Sequence, residues 1–387
     1  MERWLSKSRV LLGLCGVLLI AALNRRDPMV YGMFLFLAVV SFLGFFLPWL
    51  SLRATTVQLV PSDREVTEGS GCDLNLLVER KARWPAFMVA VETEWAWASQ
   101  RVVLSHTLPV VRAGRAQDLG QWVRFPCRGH YELMAVRLSS GFPLGLIRAQ
   151  HSLARPQIHL HVFPKAQAVQ WPLPWEVTDD PMGEHTTRRS GPSFELGMLR
   201  PYQYGDALGR VSWRASARAG ELVIQHFQQS GSIRLRVVVD VPHEPAFGNP
   251  DSAGEQAIRL AAGVCDAALA HDVQLWVYLP DNAQPLCDAA GIRRALAQAM
   301  PADGGLLASV AQAAGETAAG EQVAVVISSD FPAQLLLAPL SALAAQGARV
   351  LVCIAQARRS AEPALKQAHL LKQELERAGF ATFMEAA

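Results

Sequence analysis

The sequence predicts a multi-domain fold in three parts: a two-helix transmembrane hairpin, an all-β antiparallel sandwich, and a doubly wound α/β domain. Three observations carry this expectation. An apolar run without a charge extends from Met29 to Leu52. Short segments rich in β-branched and aromatic residues then recur between Thr55 and Phe163, punctuated by Gly, Pro and Asp. Beyond Glu221, apolar strand-like runs alternate with helical ones. The expected boundaries are 1–52 for the hairpin, 53–170 for the sandwich, 171–220 for a linker with an arginine-rich segment, and 221–387 for the α/β domain. A chain of 387 residues has room for several such units.

Composition narrows the class. The chain is 51% hydrophobic, with a mean hydropathy of +0.16, which is high for a soluble protein and points to a membrane segment. A net charge of +2 gives no reason to expect nucleic acid as a partner. The six cysteines are scattered, with no C-x-x-C pair, so neither a zinc site nor a disulfide framework is indicated. Buried free thiols in a reducing compartment are the simpler reading.

Taken in order, Val10–Leu23 and Met29–Leu52 are the two expected spans, joined by a turn at Asn24-Arg25-Arg26-Asp27-Pro28. Arg3, Lys7 and Arg9 precede the first span and favour an inside amino terminus. Two crossings then leave everything after Leu52 in the cytoplasm, on the bacterial inner membrane. Seven strands follow: Thr55–Val60, Cys72–Glu79, Phe87–Trp95, Val102–Val111, Gln121–Cys127, Tyr131–Ser139 and Gln157–Phe163. Trp84, Trp95, Trp97 and Trp122 suggest either a sugar-stacking face or sandwich packing, and packing is preferred. His159 and His161 alternate on one strand and are spaced to face one side as metal ligands, but without an evident third ligand they read as ordinary histidines.

In the carboxy-terminal part, strands are expected at Leu222–Phe227, Ile233–Asp240, Val273–Leu279, Gln322–Ser328 and Arg349–Ile354, with a short one after Gly379. Helices are expected at Glu255–Ala270, Ile292–Met300, Ala333–Gln346 and Pro363–Ala378, while the Ala/Gly-rich run Pro301–Gly320 reads as either a helix with loose flanks or a flexible insertion. Ligands of such sheets bind at the carboxyl ends of strands, so Asp240, Ser328 and Asp330 are weak metal-ligand candidates. Between Arg188 and Arg218 stand six arginines, no lysine and two acids, a local charge of about +4. Gly205-Asp206 reads as a turn, with Asp206 capping a helix that stops near Gly220. Arg210, Arg214 and Arg218 recur every fourth residue and so form one ladder on that helix, with Trp213 packed beneath it. Arginine alone, without lysine, points to planar bidentate contacts with carboxylates, the alternative being a solvated basic face on a linker helix.

This segment also resembles a family. Arg200, Tyr202, Gly205, Asp206, Arg210, Trp213, Ser216, Ala217 and Arg218, then Gly220 and Leu222, follow the pattern R-x-Y-x-x-G-D-x-x-R-x-I-x-W-x-x-S-A-R, then G-x-L, of the domain of unknown function 58 family; Val211 stands for the usual Ile. Arg128-Gly-His-Tyr131, Ser140-Gly-Phe-Pro-Leu-Gly-Leu146 and Val162-Phe-Pro164 resemble three further elements, the second lacking the usual Asp-Pro. The resemblance implies a membrane anchor, a von Willebrand factor A-like carboxy-terminal domain and a MoxR-type AAA+ ATPase as partner. In the von Willebrand factor A fold an Asp-x-Ser-x-Ser motif, a Thr and a further Asp hold a divalent ion. Here Asp240-Val-Pro242-His-Glu244 departs from that motif. The site is expected to be degenerate, with no cofactor and Mg²⁺ as the minor alternative.

The chain has no G-x-S-x-G, H-E-x-x-H, Walker A or G-x-G-x-x-G motif. The expectation is therefore a non-enzymatic, membrane-anchored scaffold working with the ATPase in assembly or maturation of protein complexes. The alternatives are an enzyme acting on cell-envelope material through Asp206 or Asp240, and a metal-dependent adhesion module.

Overall fold

The computed structural model describes residues 2–25, 27–61, 65–143, 145, 148–154, 157–173, 194–203, 211–229, 233–243, 247–302, 305–358 and 362–384. Two helices lead, α1 (Glu2–Arg25) and α2 (Pro28–Arg53). Asp27 caps α2 by accepting a hydrogen bond from the Met29 amide at 2.9 Å, and Pro28 brings the fixed φ that suits a first helical position. Cys15 Sγ of α1 lies 3.7 Å from Ser41 Oγ of α2. By length and composition α2 suffices to cross a membrane or to serve as a signal segment, whereas the apolar stretch Val10–Asn24 of α1 is shorter.

Nine strands follow: β1 (Thr55–Pro61), β2 (Glu65–Thr67), β3 (Gly71–Arg80), β4 (Ala86–Trp97), β5 (Gln100–Val111), β6 (Gln117–Arg124), β7 (Gly129–Ser140), β8 (Ala149–Ser152) and β9 (His159–Phe163). They make two sheets, one ordered β1-β3-β6, the other β2-β9-β7-β4-β5 with β8 beside β7. Every expected strand is present. The two additional ones, β2 and β8, are too short for alternation to reveal. Among the described strands of these sheets, pairing is antiparallel with one exception: β2 runs parallel to β9. These two strands are far apart in the chain, so no hairpin turn dictates their direction. Inward-facing residues of β3, β4 and β7, among them Leu74, Leu76, Val91, Trp95, Leu133 and Leu138, share one apolar core. Trp95 and Trp97 belong to that core, while Trp84 and Trp122 are exposed, so the four indoles do not form one stacking face.

Arg80 fastens α2 to these sheets. Its buried guanidinium donates to the carbonyls of Leu50 and Ser51 and to the Thr55 hydroxyl. The last carbonyls of a helix have no partner within it, so a cation placed there both satisfies them and complements the helix dipole.

The remaining elements are β10 (Phe194–Pro201), α3 (Trp213–Ala219), β11 (Val223–Gln229), β12 (Arg234–Val239), α4 (Ala253–Ala270), β13 (Gln274–Tyr278), α5 (Ala289–Gln298), α6 (Gly305–Glu316), β14 (Gln322–Ser328), α7 (Ala333–Ala345), β15 (Arg349–Ala355), α8 (Glu362–Arg377) and β16 (Ala381–Met384). Five strands form a wholly parallel sheet ordered β13-β12-β14-β15-β16. Both of its faces are buried. Val237 and Val239 enter one core with α4 and α5, and Val238 enters another with α6, α7 and α8. That is why these strands read as continuous apolar runs rather than alternating ones. β11 stands apart: it pairs with β10 in a separate two-stranded sheet.

Candidate functional site

The signature segment folds as a small unit of β10, α3 and β11. Ser212 caps α3, its hydroxyl accepting from the Ala215 amide, and Gly220 closes the helix in the left-handed conformation at φ +72°. The helix ends where the sequence predicts, but it does not start there. Asp206 is the cap that the sequence suggests, yet the helix begins at Trp213, because Ser212 is the residue whose side chain reaches the free amides. Gly205, Asp206 and Arg210 lie outside the described residues, as does the side chain of Arg200. Arg214 and Arg218 are one turn apart and exposed. Trp213, expected beneath the arginines, is instead 70% exposed. Among the described residues, this helix of seven residues contacts β11, which pairs with β10, without burying that indole. Ser216 has a structural role. Its hydroxyl accepts from the Val223 amide at 2.8 Å and faces the Val223 carbonyl at 3.4 Å, tying α3 to β11. The Tyr202 amide donates to the Leu222 carbonyl, closing the same unit.

A second constellation joins the middle sheets to the α/β region. Arg128, from the R-G-x-Y element, is fully buried. Its Nε and Nη2 donate to Glu255 of α4 at 2.8 and 3.2 Å, a bidentate pair. Nη1 donates to the carbonyls of Leu296 and Ala297, and Nη2 also to that of Ala299, all at the end of α5. Trp97 and Phe247 cover the guanidinium at 5.2 and 5.8 Å. Glu68 extends the network: it accepts from the Arg128 amide at 3.1 Å and pairs with Arg259 of α4. Two arginines and two glutamates, contributed by both regions, thus neutralise one another out of water. The rest of the R-G-x-Y element serves the same place. Gly129, at φ +152°, lies against the Trp97 ring where a Cβ would overlap it, and the Tyr131 hydroxyl donates to the Cys127 carbonyl at 3.1 Å. In the sequence this element stands out only through its resemblance to the family pattern. An arginine directly followed by a glycine, after Phe125, Pro126 and Cys127, is the available signal.

Asp240 and Ser328 do meet, where the order of the parallel sheet reverses between β12 and β14. The Asp240 carboxylate accepts from the Ser328 hydroxyl at 3.1 Å and from its amide at 3.4 Å. Burial pushes the Asp240 carboxyl above its ordinary value, against these bonds. Asp330 is exposed and accepts from Ser329 at 3.2 Å. A hard cation wants about six oxygens from several loops. One buried, serine-bonded carboxylate and one exposed carboxylate bonded to Ser329 do not make such a set, and Glu244 lies outside the described residues. On the outer face of β7 and β9, burial foremost and neighbouring positive charge second hold His130 and His161 below the usual imidazole value.

Residues 198–378 match a family described as "Protein of unknown function DUF58". That span contains α3, the Asp240–Ser328 contact, and Glu255 and Arg259 of the buried network. Over 142 residues the chain is 25% identical to the uncharacterized protein YeaD of Bacillus subtilis, covering 37% of this chain and 34% of that relative. Among solved structures, the sporulation control protein Spo0M of Bacillus subtilis is similar over 30% of this chain and 51% of its own, at 12% identity and a TM-score of 0.18. A β-glucosidase of Listeria innocua is similar over 28% of this chain and 16% of its own, at 9% identity and the same TM-score of 0.18. Likenesses that partial and distant carry no argument about this chain's chemistry.

Proposed function

We propose that this protein is a membrane-anchored docking scaffold rather than a catalyst, with the signature segment as its docking surface. The observation that carries the reading is Trp213, 70% exposed on α3, the helix that connects the paired strands β10 and β11, with Arg214 and Arg218 exposed on the same helix. Tryptophan and arginine are the residues that most often dominate binding energy at protein interfaces. Arginine presents a planar fork suited to carboxylates, so the partner carries an acidic surface. By family analogy that partner is a MoxR-type AAA+ ATPase, and the work is assembly or maturation of protein complexes.

In this reading α1 and α2 cross the bacterial inner membrane as a hairpin. Phe36, Phe42 and Phe45, all exposed on α2, face lipid. The amino-terminal basic residues stay inside, which leaves the two larger regions in the cytoplasm. The two sheets with their common core serve as a sandwich-like spacer. The α/β region is read as von Willebrand factor A-like. Its parallel sheet and the antiparallel bridge between Val277 and Leu286 beside the edge strand β13 support this.

The experiment is capture of the ATPase by the full chain in detergent. A triple variant, Trp213→Ala with Arg214→Ala and Arg218→Ala, is expected to lose at least about a hundredfold in affinity, since hot-spot side chains are each worth about 2 kcal/mol or more. Its thermal midpoint is expected to stay near that of the wild type, because these side chains are exposed. Capture at undiminished affinity would remove the docking role.

A further inference from the structure

Four side chains on the outer face of the six-stranded sheet form a ligand set that the docking reading does not use. β7 and β9 run antiparallel, with His130 opposite His161 and Glu132 opposite His159. Side chains alternate along a strand, so these four share one face. The intervening Tyr131 and Leu160 are fully buried on the other face and hold both strands in place. The result is a two-by-two array of three imidazoles and one carboxylate.

The geometry is close to that of an ion site. Ligand atoms of His130, Glu132 and His159 all lie within 4.8 Å of one another. His130 Nδ1 is 3.3 Å from His161 Nδ1, and His159 Nδ1 is 4.0 Å from Glu132 Oε1. The His130 ring stacks on that of His159 with centroids 4.9 Å apart. A tetrahedral ion with bonds of about 2.0–2.1 Å holds its ligand atoms about 3.3–3.4 Å apart. Closing on one ion therefore requires the His130 and His159 rings to turn out of their stack and the His161 ring to turn toward the other three.

We propose that His130, Glu132, His159 and His161 bind one divalent transition-metal ion of the zinc class. Imidazole with carboxylate suits such an ion, whereas Mg²⁺ and Ca²⁺ prefer all-oxygen sets. Alternation along one strand reveals only half of this set, because the other half comes from a strand about 30 residues earlier that the sheet lays alongside. The site also lies beside the buried network. Arg128 stands two residues before His130, and Gln298 Nε2 of α5 is 3.3 Å from His161 Nδ1. Arg294 of the same helix pairs at 3.0 Å with Glu65, which lies opposite His161 on β2. Loading the ion ties β7 to β9 next to the seam with α5 and so steadies that seam.

The test uses the full chain in detergent micelles, stripped of metal with a chelator and titrated with Zn²⁺. One ion per chain is expected, with a rise in thermal midpoint. Substituted Co²⁺ is expected to give the intense visible absorption of tetrahedral coordination. His130→Ala with His159→Ala is expected to lose the bound ion. Glu132→Gln, which keeps the side-chain shape and so the fold, is expected to weaken binding at least about tenfold. Cys287→Ser removes an exposed thiol that competes for zinc and is expected to leave binding unchanged. The proposal is overturned if folded wild-type protein takes up no Zn²⁺, if uptake survives the histidine and Glu132 changes, or if it disappears with Cys287.

Discussion

Arg128 shows what one side chain can hold together. Its donors meet both oxygens of Glu255 and three carbonyls at the end of α5, and none of that surface touches water. A buried ion pair is not in itself strong evidence of stability, because desolvation offsets much of the attraction. Removing one partner is another matter, since it leaves the other charge buried and alone. Arg128→Ala is therefore expected to cost about 3–5 kcal/mol. Arg128→Lys is expected to recover little of it, because a point-like ammonium cannot replace a planar fork spanning two elements. Denaturant unfolding followed by tryptophan fluorescence measures both, and a loss below about 1 kcal/mol for the alanine variant would mean that the network is incidental.

At the scale of the element, α3 poses a simple question: why is it a helix at all? Seven residues are far too few for a helix to persist alone. Ser212 at its start, Gly220 at its end and Ser216 against β11 supply what length cannot. Losing the Ser216 hydroxyl removes both contacts to Val223, and one hydrogen bond is worth about 0.5–1.5 kcal/mol. Ser216→Ala is expected to raise hydrogen exchange of the amides in 213–219 by up to about tenfold while the global thermal midpoint barely moves. Unchanged exchange would show that the helix is held by something else. This element also marks how far pattern reading reaches. The stop at Gly220 is legible because a glycine after a helix-forming run is a local signal. The start is not, since Asp206 and Ser212 are both good cap residue types and nothing in the local pattern says which is used. β10 itself leaves no trace in the pattern, because Phe194–Pro201 lacks clean alternation and acquires strand geometry from its partner.

At the scale of the whole molecule, the orientation of the large regions is the property most open to direct measurement. Of the six cysteines, Cys72, Cys127, Cys265 and Cys353 are buried, Cys15 is partly buried in α1, and Cys287 is exposed. Cys287 is thus a natural reporter. In spheroplasts, a membrane-impermeant maleimide is expected to leave it unmodified until the membrane is opened. Labelling before lysis would place the α/β region outside and overturn the proposed cytoplasmic orientation.

What the amino-acid order determined by itself were the properties written in local periodicity: the apolar amino-terminal helix, the seven alternating strands, and the parallel sheet with its intervening helices. Each follows from which faces of an element must avoid water, and that is decided over ten or twenty neighbouring residues. Only the tertiary structure decided which distant residues meet. Glu68, Arg128, Glu255 and Arg259 converge on one buried seam, and His130 and Glu132 come to lie beside His159 and His161. Charge and ligand chemistry act through space at a few ångströms, and separations of about 30 to 190 residues along the chain carry no pattern from which that proximity can be read.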